Sequence, residues 1–104
     1  MQLNEILQAA REHDASDVHL VAGQPPMMRV HTIMTPMDYP TLQPEQMRKV
    51  LEGIVSADQV ATFDREHDLD FSYEVAGQGR YRVNAHRQRC GISLSLRAIK
   101  TTIP

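Results

Sequence analysis

The sequence contains no tryptophan and only one cysteine, and it has no apolar run of the ~18 residues that span a membrane. Cys90 cannot form an internal disulfide, and no pair of CxxC motifs offers a zinc site. We therefore interpret Cys90 as inert and expect a reducing, cytoplasmic setting. The polar start MQLNEILQAAREHD is not typical of a signal peptide, so we expect a soluble domain with no direct membrane insertion.

A complete enzyme signature is also missing. None of the five glycines is followed by lysine, which excludes a GxxxxGK[ST] phosphate loop from this chain. The GQG sequence at 77–79 predicts a turn, and the acidic run DREHDLD at 64–70 is typical of a solvated helix end. Asp17 and His19 are too few to ligate a metal by themselves. We predict no catalytic residue, no metal site and no tight cofactor binding for this chain alone.

Acidic residues are missing from the last quarter of the chain. Residues 80–104 hold six of the eleven lysine and arginine residues and no acidic residue, whereas residues 1–79 hold all thirteen aspartates and glutamates. Such asymmetry suggests an anionic partner, or contact with the acidic part of the same chain. The net charge of −2 and the lack of tryptophan argue against nucleic acid. A compact anion such as a phosphate group fits the basic segment better.

The first half of the chain predicts helices and strands in alternation. Apolar residues spaced i, i+3, i+4, i+7 predict a helix from Leu3 to near Asp14. Alternation predicts a strand at 16–21 and, after the GQPP breaker, a second continuous strand at 27–34. The segment 41–55 predicts a helix with a proline in its first turn. A capping-box pattern, Ser56 with Gln59, then predicts a further short helix.

The second half predicts a sheet. LDFSYEV at 69–75, RYRVNAH at 80–86 and ISLSLRAI at 92–99 each alternate apolar and polar residues. These strands therefore share one apolar face and one polar face, as in an antiparallel meander packed on helices. With 104 residues, of which 41% are hydrophobic, the chain predicts one small α+β domain.

Two arginines are predicted to lie opposite each other on the polar face. If a four-residue loop at 88–91 joins the last two strands, Ala85 faces Leu94 and Arg82 faces Arg97. Like charges in directly opposite positions destabilise a sheet, so the pairing suggests that both guanidinium groups serve one anion. The alternative is an ordinary solvated face on which Arg82 leans toward Glu74, and a two-residue shift of register would remove the pairing.

Four segments carry a resemblance to a known family. They are ASDVHL at 15–20, GQPPMMRV at 23–30, DFSYEVAGQGRYRVNAHRQR at 70–89 and LRAIKTTIP at 96–104. In this order and spacing they resemble the N-terminal domain of the type IV pilus retraction ATPases, the PilT-like branch of the secretion ATPase superfamily. Each segment alone is a weak signal, but four in register over 90 residues are specific, and the resemblance covers essentially the whole chain.

The resemblance implies a PAS-like domain, 1–104, that precedes a RecA-like motor domain in a homohexameric ring. That motor domain would hold ATP and Mg²⁺, and the N-terminal domain would close over the nucleotide. Arg82 and Arg97 match the arginines that the family presents to the ATP phosphates. Candidate contacts to the motor domain or to a neighbouring subunit are Arg80, Asn84, His86, Arg87 and Arg89.

The resemblance further implies a cytoplasmic ring peripheral to the inner membrane, where the full-length protein would meet the pilus platform protein. Thr32, His86 and Cys90 depart from the family pattern, which usually has glycine, phenylalanine and an uninterrupted QRG there. These departures leave open whether the motor serves pilus retraction, pilus assembly or type II secretion. A free-standing PAS-like sensor or protein-interaction domain is the alternative from another class.

Overall fold

A computed structural model describes residues 2–99 of the chain. Within that range the helices are α1 (Leu3–Glu12), α2 (Pro44–Ile54) and α3 (Ala57–Glu66). The strands are β1 (Asp17–Val21), β2 (Met27–Val30), β3 (Ile33–Pro36), β4 (Asp68–Val75), β5 (Gly79–Gln88) and β6 (Gly91–Ile99). None of the helices among these residues has the length and apolar character that crossing a membrane requires.

The local sequence explains where α2 and α3 begin. Pro44 opens α2, where its missing N–H is not needed, and Gln43 and Gln46 form a capping box in front of it. Ser56 caps α3 as predicted, because its hydroxyl accepts from the Gln59 backbone N–H at 3.2 Å while Gln59 reaches back to the Ser56 N–H. The capping-box prediction is confirmed.

All strand pairs among the described residues are antiparallel, in the order β3-β2-β1-β6-β5-β4. The β1–β6 pair places the beginning of the chain beside its basic end. In the β5–β6 hairpin, Ala85 pairs with Leu94 and Arg82 pairs with Arg97, so the predicted register is confirmed. The connection is tighter than predicted, since Gln88 and Gly91 still pair and only positions 89 and 90 form the turn.

The single strand predicted at 27–34 is wrong. The chain reverses at His31 and Thr32, whose φ angles are +50° and +69°, and β2 and β3 form a hairpin on either side. A two-residue turn with two positive φ angles usually contains asparagine or glycine, and neither residue stands here. The turn therefore left no signal in the composition of this segment.

The helices pack against one face of the sheet and form the core with it. Fully buried side chains come from both layers: Leu7, Met47, Leu51 and Phe63 from the helices, and Leu20, Val83, Ala85, Leu94 and Leu96 from the strands. The opposite face carries the polar members of each strand, and we call it the open face. The predicted α+β class, an antiparallel sheet packed against helices in a PAS-like arrangement, is confirmed.

Candidate functional site

One row of the open face crosses the sheet through charged residues of four neighbouring strands. In the order of the strands it runs from Arg29 on β2 through Asp17 on β1 and Arg97 on β6 to Arg82 on β5. Strand alternation places these residues on the same side, because directly paired residues of an antiparallel sheet share a face. We call this set the charged row.

Asp17 and Arg97 form an ion pair in the middle of the charged row. The Arg97 Nε–H donates to Asp17 Oδ1 at 3.2 Å, while the Ser16 hydroxyl donates to Asp17 Oδ2 at 2.7 Å. Arg29 Nε lies 3.7 Å from Oδ2 on the other side. The Asp17 side chain is only 12% exposed, whereas that of Arg97 is 75% exposed. The guanidinium group of Arg97 thus has an anchored end and an end that faces solvent.

The environment of Asp17 keeps its carboxylate ionised. Burial by itself raises the pKa of this group, but the hydrogen bonds from Ser16 and Arg97, with the positive charge of Arg97, hold the pKa below its ordinary value. Asp17 therefore carries a full negative charge at neutral pH, directly beside the arginine that the sequence singled out.

Arg82 lies next to Arg97 without an anion of its own. Among residues 2–99 it makes no ion pair, and its partner position on β4 is Ser72. The alternative that Arg82 leans toward Glu74 is wrong, since Glu74 pairs with Arg80 at 3.4 Å. The charged row therefore contains three guanidinium groups and one carboxylate, which leaves excess positive charge there.

The next two rows of the open face are joined by hydrogen bonds within the sheet. Asn84 donates to Asp68 Oδ1 at 2.9 Å and to Asp70 Oδ1 at 3.0 Å. His86 contacts the Ser93 hydroxyl at 3.0 Å, and one row away His19 contacts the Ser95 hydroxyl at 3.2 Å. Asn84 and His86 thus share the open face with Arg82, but their polar atoms have partners within the sheet.

Arg87 and Arg89 do not join the charged row. Arg87 pairs with Ile92 and so points to the helix side of the sheet, and Arg89 lies in the β5–β6 turn. They line a groove of about 380 Å³ at this end of the sheet, together with Pro44, Arg48, Cys90 and others. The predicted interface residues therefore divide between two places, with Arg80, Asn84 and His86 on the open face and Arg87 and Arg89 at the groove.

Arg48 also lines this groove, and the sequence alone gave no reason to select it. Two of its nitrogens donate to the carboxylate of Asp64 at 2.6 and 3.0 Å, and its Nε donates to Glu52 at 2.9 Å. The hydrogen bonds from Arg48 lower the pKa of Asp64. Arg48 is thus occupied in joining α2 to α3.

The described residues contain no group of three His, Cys, Asp or Glu side chains that could hold a metal ion. Asp17 and His19, the pair considered as ligands, contact Arg97 and Ser95 respectively. The polar chemistry of the open face is thus that of arginine, carboxylate, amide and hydroxyl groups, and among these the arginines are the groups that suit the binding of an oxyanion.

Fold and sequence together define the class of this domain. No protein-family model matches the chain. The crystal structure of the pilus retraction motor PilT with bound ADP superposes with a TM-score of 0.91 at 34% identity, over 100% of this chain and 31% of that one. The ATPase DotB of Legionella pneumophila has the same fold, with a TM-score of 0.85 at 24% identity over 98% of this chain and 30% of that one. The chain thus has the fold of the N-terminal domain of the pilus retraction motor PilT.

Curated relatives narrow the class to a family. The chain is 35% identical to the type IV pilus ATPase PilU of Pseudomonas aeruginosa over 100% of its own length and 27% of the relative. It is 35% identical to the type IV pilus retraction ATPase PilT of the same organism, over 99% of the chain and 30% of the relative. The chain belongs to the PilT-like ATPase family and corresponds to its N-terminal domain. It thus spans less than a third of the length of these relatives.

Proposed function

We propose that this chain is the N-terminal domain of a hexameric motor ATPase that powers pilus retraction. In this role it closes over ATP that the motor domain holds, and Arg82 and Arg97 contact the phosphate oxygens. The observation that carries the proposal is the cross-strand pair of these two arginines on the open face. Like charges directly opposite each other destabilise a sheet, and an anion that contacts both arginines would offset this cost.

The geometry of the pair suits a triphosphate. A guanidinium group offers a planar fork of N–H donors that matches two oxygens of one phosphate, and two such forks side by side can span neighbouring oxygens. Because this chain has no phosphate loop, ATP and Mg²⁺ are held mainly by the motor domain. The N-terminal domain contributes positive charge where negative charge develops during phosphoryl transfer.

The other polar residues fit contacts within the ring. Arg80 and Asn84 border the charged row and His86 lies one row beyond Asn84, so in the closed arrangement they would face the domain that holds the nucleotide. Arg87 and Arg89 lie at the groove on the helix side and would face a different surface, either of the chain's own motor domain or of a neighbouring subunit. The full-length ring would work in the cytoplasm against the pilus platform protein of the inner membrane.

Pilus retraction is preferred over pilus assembly or type II secretion because relatives that match almost the whole chain at 35% identity are named type IV pilus ATPases, one of them a retraction ATPase. The likeness to DotB, at 24% identity, concerns the fold. The proposal predicts a GxxxxGK[ST] motif in the gene downstream of residue 104, and sequencing that region tests it.

A turnover experiment tests the role of the arginines. In the full-length protein, Arg97→Ala is expected to lower ATP turnover by about one to two decades, since loss of a charge-assisted contact costs about 1.5 to 3 kcal/mol. Arg65→Ala is the matched control, because Arg65 is an exposed arginine on α3 that pairs with its neighbour Glu66. Equal turnover of the two variants would refute the phosphate role of Arg97.

A further inference from the structure

The contact between Asp17 and Arg97 uses one particular edge of the guanidinium group. Asp17 accepts from Nε, so the two terminal nitrogens of Arg97 have no partner among residues 2–99. Arginine has five N–H donors, and four of them are on those terminal nitrogens. The carboxylate therefore fixes the inner edge of the group and leaves the outer pair of nitrogens available for a bidentate contact.

Asp17 is itself held in place. Its strand lies between β2 and β6, its second oxygen accepts from the Ser16 hydroxyl at 2.7 Å, and Arg29 Nε lies 3.7 Å from that oxygen. The side chain is 12% exposed, which leaves little room for another rotamer. An anchor of this kind restricts a long side chain that would otherwise sample many rotamers.

Asp17 also offsets the repulsion within the arginine pair. Arg97 stands between Asp17 on one strand and Arg82 on the other. Without the carboxylate, nothing else in the described charged row attracts Arg97 toward β1, and the repulsion between the two guanidinium groups is no longer offset. Loss of Asp17 would therefore change the direction of Arg97 as well as its mobility.

We propose that Asp17 is a positioning residue that orients Arg97 through Nε, so that both terminal nitrogens face one phosphate group. This inference rests on the proposed function, because it assigns a role to Asp17 only if Arg97 contacts phosphate. Asp17 does not touch the ligand. Asp17 is therefore expected to affect turnover only when Arg97 is present. A general effect on folding would also lower turnover when Arg97 is absent.

Double-mutant cycles in the full-length ATPase test the inference. Asp17→Ala is expected to lower kcat roughly tenfold, within the 10²-fold range that misplacement of a catalytic group can cost. In the Arg97→Ala background the same change is expected to have no further effect, whereas in the Arg82→Ala background the tenfold loss is expected to persist. Asp17→Asn keeps an oxygen that can accept from Nε, so it is expected to lose less than Asp17→Ala.

A second readout follows Arg97 directly in the 104-residue chain. In ¹H–¹⁵N spectra, the Arg97 Nε–H of the wild type is expected to exchange with solvent measurably more slowly than in Asp17→Asn or Asp17→Ala. Arg65→Ala is the control, since it removes an exposed arginine of α3 that pairs with Glu66, and it is expected to leave the Arg97 signal unchanged. Equal exchange in the wild type and the Asp17 variants would overturn the positioning role.

The outcomes distinguish this inference from the proposed function. If Arg97→Ala leaves turnover unchanged, the phosphate role fails and the positioning role fails with it. If Arg97→Ala lowers turnover but Asp17→Ala has no effect, or has an equal effect in the Arg97→Ala background, only the positioning role is overturned. If Asp17→Ala lowers turnover in the wild-type background but not in the Arg97→Ala background, the phosphate role of Arg97 and the positioning role of Asp17 are both supported.

Discussion

Arg82 and Arg97 lie directly opposite each other on β5 and β6, with Asp17 on the far side of Arg97. Together with Arg29, the charged row therefore contains three guanidinium groups and one carboxylate. A purely structural sheet surface would be more stable with an acidic or neutral residue at either arginine position, since like charges opposite each other cost about 0.2 to 1 kcal/mol. The arrangement favours a function that needs both positive charges at one place.

Asp17 should make the stability of the domain depend on pH. Its pKa is lower in the folded chain than its ordinary value, so the ionised form stabilises the fold at neutral pH, and this contribution is lost as the pH falls through the folded-state pKa. Urea unfolding is expected to show Asp17→Asn about 1 kcal/mol less stable than wild type at pH 7. The difference should shrink toward pH 3. A difference that grows on acidification would contradict the assignment.

The turn between β2 and β3 should gain stability from glycine. Thr32 has a φ of +69°, and a left-handed conformation costs a residue with a side chain roughly 1 to 2 kcal/mol. Thr32→Gly is therefore expected to raise the free energy of unfolding by about 1 kcal/mol. Thr35→Gly is the control on the same hairpin, because position 35 lies within β3, where glycine is expected to destabilise.

The 104-residue chain is expected to be inactive as an ATPase and to bind ATP weakly. It lacks the backbone cradle and the lysine that hold the β and γ phosphates in this class of motor. Calorimetric titration with ATP and a phosphate-release assay check the two parts of this prediction. Turnover by the purified chain would show that the chemistry has been assigned to the wrong part of the protein.

The same chain is expected to be a monomer or a weak dimer in dilute solution. If the ring joins the N-terminal domain of one subunit to the motor domain of the next, a chain without the motor lacks half of every contact. Sedimentation velocity over a range of concentrations measures the state. A stable hexamer would place the main interface within the N-terminal domain.

Local patterns predicted the β5–β6 hairpin, including the pairing of Arg82 with Arg97, because strict alternation and a short connection leave few registers. They could not predict the ion pair of Arg97. Its partner Asp17 is 80 positions away in the sequence and lies on β1. That contact depends on the β1–β6 pairing, which no local pattern specifies.

The sequence alone also could not show which residues of the basic segment are free to bind an anion and which have partners within the sheet. Alternation placed Arg82 and Arg97 on one face correctly, but the function of each polar residue depends on its neighbours on adjacent strands. Asn84 and His86 turned out to have partners within the sheet, whereas Arg82 has no ion pair among residues 2–99. Charge counts along the sequence do not distinguish these situations.

The most direct test of the account compares turnover with stability in the full-length protein for Arg82→Ala, Arg97→Ala and the double variant. Removing Arg97 takes one cation away from Asp17, whose side chain is 12% exposed, but it leaves the Ser16 hydrogen bond and relieves a like-charge repulsion of about 0.2 to 1 kcal/mol. The melting temperature is therefore expected to change far less than the turnover. ATP turnover in the double variant is expected to fall by at least one to two decades, as loss of about 1.5 to 3 kcal/mol per contact requires. Unchanged turnover in the double variant would contradict the phosphate role of the arginine pair.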